Sequence, residues 1–267
     1  MWPGVEPFGI VGAYDPVTGA YVERLASAFE QALAAMALAR YASCPGVEAE
    51  RGSVARRRAR AILEDLARVE AGEIDARKDV VSSAACIVAL TELGDESLQG
   101  NERLERLGAC LETLEGAWIE GEGFDPGLPA GSQGLLALAK LRSARFSANP
   151  EGVEEDAREW ILAAYRETAS GVLVSQMPWL GWASVELAAR RGERVAAADT
   201  LREMRDLVWD HQLRVIDLDP AEQDLAGGIV FTRGPTPLPT WLAVRPLAFI
   251  ATMLGHPELT GGTLSAG

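Results

Sequence analysis

The chain has 267 residues, of which 48% are hydrophobic, and a formal charge of −14. This length and apolar content suit one large domain or two small ones. The charge comes from Asp and Glu scattered among Arg rather than from an acidic tail, so nucleic acid, which needs a concentrated basic surface, is not an expected partner.

Residues 1–20 are rich in Gly and Pro (Pro3, Gly4, Pro7, Gly9, Gly12, Pro16, Gly19) and read as an irregular lead-in. From Tyr21 the pattern becomes helical, with Leu25, Phe29, Leu33, Met36 and Ala37 at three- and four-residue steps. The same stepping returns in Ala59, Ile62, Leu63, Leu66 and Val69, so two helices divided by Cys44-Pro45-Gly46 form a first hairpin. The main basic run, Arg56-Arg57-Arg58-Ala59-Arg60, lies between Glu48, Glu50 and Glu64 and reads as a solvated helix face in preference to an anion site.

A second unit runs from Val80 to Gly94 and from Leu104 to Ile119. A third takes Ser132 to Arg145 and Val153 to Thr168, divided by Asn149-Pro150, and a fourth takes Gly181 to Arg191 and Val195 to Val215. A last helix spans about Thr240 to Leu254 and stops at Gly255-His256-Pro257. Strand signals such as Gly171-Val172-Leu173-Val174 and Gly228-Ile229-Val230-Phe231 are too short and isolated for a sheet.

The apolar segments therefore recur roughly every 50 to 60 residues, a supersecondary repeat. In each unit one helix is short and almost wholly small or apolar, as in Ser82 to Leu90, which suits contact on all sides. Its partner is longer and amphipathic, as in Asp156 to Leu162. Inner and outer layers follow, arranged as an open solenoid or a closed ring; closure is favoured because the inner helices otherwise need a large groove-filling partner. The expected fold is all-α, an α/α toroid of repeated hairpins over residues 21–258, with a loose tail at 259–267.

The three cysteines, Cys44, Cys86 and Cys110, lie far apart without metal-ligand spacing and read as reduced core or near-core residues. With only His211 and His256 besides, neither a metal nor a cofactor is expected. No segment has the length of a membrane span, and Met1-Trp2-Pro3-Gly4 lacks the features of a signal peptide, so a cytoplasmic protein is expected.

Gly121-Glu122-Gly123-Phe124 before Ser132 to Leu141, and Gly227-Gly228-Ile229-Val230-Phe231 before Trp241 to Gly255, each place a Gly and aromatic loop ahead of a small-residue helix ending in Leu or Leu-Gly. This resembles the α/α toroids of the terpenoid cyclase and protein prenyltransferase superfamily, over most of the chain after Tyr21. The resemblance implies the fold and not the catalysis. There is no Asp-x-Asp-Asp acid motif and no Asp-Asp-x-x-Asp; Asp217-Leu218-Asp219-Pro220 reads as a cap or turn, and the Cys and His positions do not match the zinc set of the prenyltransferases. The same architecture also serves polysaccharide lyases, glycosidases and noncatalytic binding domains.

In such a toroid the loops before the inner helices gather at one mouth, where inner-helix N–H groups point. Four loops are expected there: Glu73 to Asp79, Glu120 to Gly131, Ser170 to Leu180 and Asp217 to Pro239. They carry Asp75, Glu122, Phe124, Asp125, Gln176, Trp179, Asp224, Phe231 and Arg233, with Trp182 and Trp241 opening two inner helices. Aromatics with carboxylates suit sugar faces and proton transfer, although polar loops and gap-filling Trp also arise without function. Glu186 and Arg245 interrupt apolar inner helices and need partners if buried; either they face the axial cavity as ligand-binding residues, or an ion pair with each other or with a neighbour accounts for them without function, and Pro246 marks a kink or a helix start. His211, near an outer-helix end, is read as a helix-dipole contact in preference to a general base.

Three functions are carried forward. Binding of a small-molecule, carbohydrate or protein ligand at the mouth stands first. A hydrolase or lyase using two of Glu122, Asp125 and Asp224 stands second. An isoprenoid-binding cavity lined by Trp182, Trp241 and Phe249 stands third.

Overall fold

The computed structural model describes residues 11–68, 79–94, 101–129, 131–166, 168–231 and 244–256. These are mostly helical, with ten α-helices among them. None of these helices is long and apolar enough to cross a membrane. The chain divides into two compact units, Met1–Glu120 and Gly121–Gly267.

The first unit opens on a hairpin of strands β1 (Val11–Asp15) and β2 (Ala20–Leu25), where the sequence had suggested an irregular lead-in and a helix from Tyr21. Its turn is built by Asp15, whose carboxylate accepts from the Val17 N–H (2.9 Å) and the Thr18 hydroxyl (2.8 Å). Gly19 closes the loop at φ 66°, a left-handed conformation that its missing Cβ permits. The helical pattern begins only after Ser27. There a capping box joins Ser27 and Glu30, each side chain bonded to the other's backbone N–H, and starts α1 (Ala28–Ser43).

Helix α1 buries Ala28, Ala32, Ala35, Met36 and Ala39, and packs on both α2 (Ala49–Arg68) and α3 (Val80–Leu93). Small residues let these helices approach closely: a Cβ on Gly52 of α2 would lie 3.3 Å from the Ala42 carbonyl oxygen. Helix α3, capped by the Asp79 carboxylate on the Ser82 N–H (2.7 Å), is buried on nearly every side from Ser82 to Leu93. An Arg40–Glu92 ion pair (2.7 Å) ties α1 to α3. Helix α4 (Asn101–Glu115) packs on α3 and buries Cys110 and Leu114, and strand β3 (Trp118–Ile119) follows. Cys86 is buried as well, whereas Cys44, expected in or near the core, is exposed at the end of α1, where the chain turns at Pro45-Gly46.

The second unit begins with strand β4 (Gly123–Phe124) and then α5 (Gln133–Ser143), in which every residue from Gly134 is buried. Helix α6 (Pro150–Arg166) starts where Asn149 accepts from the Gly152 N–H (3.2 Å), and it buries Ala157, Trp160, Ile161 and Ala164 on one face. A short helix α7 (Ser170–Ser175) precedes α8 (Trp179–Arg191); α9 (Arg194–Asp210) buries Ala198, Leu201, Met204 and Val208. Helix α5 packs on α6 and α8, and α8 packs in turn on α9 and α10 (Val244–Leu254).

Within each unit the two helix types keep their places. The small-residue helices, α1 with α3 and α5 with α8, pack on each other, and amphipathic partners lie alongside. Helix α10 departs from the inner type. It buries Pro246, Phe249, Ile250 and Met253 but leaves Leu247, Ala251 and Leu254 exposed along one stripe, so its apolar composition does not amount to burial on all sides.

Candidate functional site

In the second unit, three of the loop segments expected near the inner helices meet around α7. The stretch Gly171 to Val174, too short for a sheet strand, forms this helix. Gly171 lies so close to the segment ending at Phe231 that a Cβ there would sit 2.0 Å from the Phe231 carbonyl oxygen. Gly131, at φ 82°, leaves room for Ser175, whose hydroxyl oxygen would be 3.3 Å from an added Cβ. Gly134 faces Gln176 and Leu180 at 3.0 Å by the same measure. Glycine at these three positions is what lets the segments approach.

Gln176 holds the cluster together. Its side chain is fully buried, its Oε1 accepts the Gly134 N–H at 2.5 Å, and its Nε2 donates to the Thr168 hydroxyl at 3.3 Å. Helix α5 has no side-chain cap of its own from Ser132, so an amide from a distant segment satisfies one of its first-turn donors. That N–H is therefore not directed at a ligand.

Trp179 and Trp182, at the start of α8, are 6% and 7% exposed and stack edge to face, with centroids 5.4 Å apart. The Trp182 indole N–H donates to the Thr252 hydroxyl of α10 (2.8 Å). Beside it, Gly181 receives the ring of the fully buried Phe249. These rings form the seam between α8 and α10.

Glu186 pairs with Arg142 of α5, with Oε2 accepting from Nε at 3.0 Å and Oε1 from an Nη at 2.5 Å. The Arg142 side chain is 9% exposed and that of Glu186 29%. Lys140, two residues before Arg142, is also buried; it pairs with Asp156 (3.0 Å) and lies 5.5 Å from the centre of the Trp160 ring. The partial burial of Arg245 lowers its guanidinium pKa below the usual arginine value.

On the loop before α5, Glu122 is exposed. Asp125 is part-buried and turns inward on its own chain: Oδ1 accepts the Gly127 N–H at 2.8 Å, and the backbone carbonyl accepts from Leu128 at 3.1 Å. Phe124 packs edge to face on Trp160, with centroids 5.4 Å apart. Phe231 is half-buried, and its carbonyl oxygen faces Gly171. The Asp224 side chain, Arg233, Trp241 and Asp75 lie outside the described residues.

His211 ends α9, and its Nδ1 donates to the Val230 carbonyl oxygen at 2.8 Å, which fixes the proton on that nitrogen. Around it the chain closes on itself: the Val230 N–H donates to the His211 carbonyl (3.0 Å), the Leu213 N–H to Gly228 (2.8 Å) and the Gly227 N–H to Leu213 (2.8 Å).

Lys140, Arg142, Thr168 and the glycines at 131, 134 and 171 were not singled out from the sequence. Lys140 and Arg142 carry the same signal that marked Glu186, a charge inside a small-residue helix. The glycines and Thr168 carry no local signal. Among the described residues no group of His, Cys, Asp and Glu is placed to hold a metal ion. Comparison with protein-family models, with curated proteins and with solved structures finds no match.

Proposed function

We propose that this chain is a binding module built on helical hairpins of the α/α-toroid kind, rather than a cyclase, prenyltransferase or hydrolase. One observation carries the reading: the deeper polar side chains of the candidate site already serve the fold. Gln176 caps α5, Glu186 neutralises Arg142, and the Trp179–Trp182 pair fills a helix seam. A catalytic acid or base needs a free face toward a reacting atom. Glu122 has a free face but lies on the open loop surface rather than in a pocket, and Asp125 spends one oxygen on its own turn. The alternation of small-residue and amphipathic helices in both units supports the toroid reading. Burial of Trp182 and Phe249 in the α8–α10 seam weighs against their lining an isoprenoid cavity.

The test uses native gels cast with xylan, pectin, alginate or starch, alongside assays for reducing ends and for unsaturated products on the same polymers. Retardation without turnover supports carbohydrate binding, and neither retardation nor turnover points to a protein partner. Turnover that disappears in Glu122→Gln or Asp125→Asn would overturn the binding reading in favour of the hydrolase or lyase.

A further inference from the structure

In the first unit, the end of α1 and the first three turns of α2 border an open cleft of about 520 Å³. Ser53, Arg56, Arg57 and Arg60 line it at steps of three, one and three residues, so they share one face of α2. Gly52 and Ala49 continue that face, while Ala42 and Val47 form an apolar wall across from it. The sequence reading of this run as a plain solvated face does not account for the cavity.

We infer that this cleft is a binding site for a phosphorylated small molecule, a site separate from the one described above. Arg56 and Arg57 stand exposed at the cleft, and a bound polyanion is attracted to both guanidinium groups. Arg is suited to the task because its planar fork donates two parallel hydrogen bonds to phosphate oxygens. Glu48 is the one carboxylate among the lining residues, and it is engaged at 3.0 Å by Arg51, which points off the arginine face. The cleft therefore concentrates positive charge in a chain whose net charge is −14. Its volume falls within the range of small-molecule sites, about 300 to 1,000 Å³, so an organic body has space against Ala42 and Val47 beside the charged groups. Concavity favours a soluble phosphate over a flat lipid surface.

The test is calorimetric titration of the full chain with inorganic pyrophosphate and with ADP. Saturable one-to-one binding is expected, weakened at least about tenfold by Arg56→Gln or Arg57→Gln and only partly by Arg57→Lys. Arg58→Gln, which removes the same charge from the opposite side of α2, should change affinity by less than about twofold. Circular dichroism melts of each variant separate loss of binding from loss of fold. No saturation by either compound at about 10 mM would overturn the inference, as would an equal loss in Arg58→Gln. Cosedimentation with phosphatidylserine vesicles, in the absence of pyrophosphate binding, would reassign the arginine face to lipid headgroups and overturn the small-molecule site.

Discussion

Gly181 of α8 and Phe249 of α10 meet so closely that a Cβ built on the glycine would sit 2.2 Å from Cδ2 of the ring and 2.6 Å from Cε2. Because Phe249 is fully buried, the ring has no solvent to move into. Gly181→Ala should therefore cost about 1–3 kcal/mol through forced repacking, despite the better helix propensity of alanine. Urea unfolding measures it; unchanged or increased stability would mean that α8 and α10 do not pack this tightly.

Glu186→Gln removes the carboxylate charge that the nearly buried Arg142 guanidinium engages through two hydrogen bonds. The expected loss is on the order of 2 kcal/mol, below the value for a fully buried pair because Glu186 keeps some contact with water. The double variant Arg142→Met with Glu186→Leu should lose less than Glu186→Gln alone, since it removes both desolvated charges. A double variant that loses more would show the pair to be net stabilising beyond its desolvation cost.

Gln176→Leu keeps the approximate volume but removes the acceptor for the Gly134 N–H. A buried donor left unsatisfied costs about 1–3 kcal/mol. Hydrogen exchange at the Gly134 amide should accelerate along with the fall in melting temperature. Protection that persists at Gly134 would assign its partner elsewhere.

The Glu155 carboxyl is held below the ordinary glutamate pKa, first by its hydrogen bond from Arg191 and then by that from Arg158. A depressed folded-state value contributes stability above the ordinary glutamate pKa, and that stability is lost as pH falls through the lower folded value. Arg191→Ala should move the Glu155 side-chain titration upward toward the ordinary value, read by NMR at the carboxyl carbon. An unmoved titration would leave the depression to Arg158. Both partners keep contact with water, so the link should weaken with added salt.

Much of the architecture was legible in local pattern. The small-residue stretches at Ser82 to Leu90 and Gln133 to Leu141 announced helices buried on all sides, because no polar face was available for water. Asn149-Pro150 marked the start of α6, since a side-chain acceptor followed by a residue lacking an N–H suits a helix N-terminus. The β1–β2 hairpin was not legible in the same way. Its turn depends on Asp15 folding back on Val17 and Thr18, and the surrounding Gly and Pro residues suggested irregular chain.

What the sequence by itself determined was the order of the longer helices and, except for α10, their type, because periodicity within one segment records which face avoids water. What only the tertiary structure decided was partnership. It paired Glu186 with Arg142 across 44 positions, gave the α5 N–H of Gly134 to Gln176, and put three arginines of α2 around a cleft beneath the end of α1. Such choices turn on which side chains from distant segments come within hydrogen-bonding or contact distance, and no local period encodes that distance.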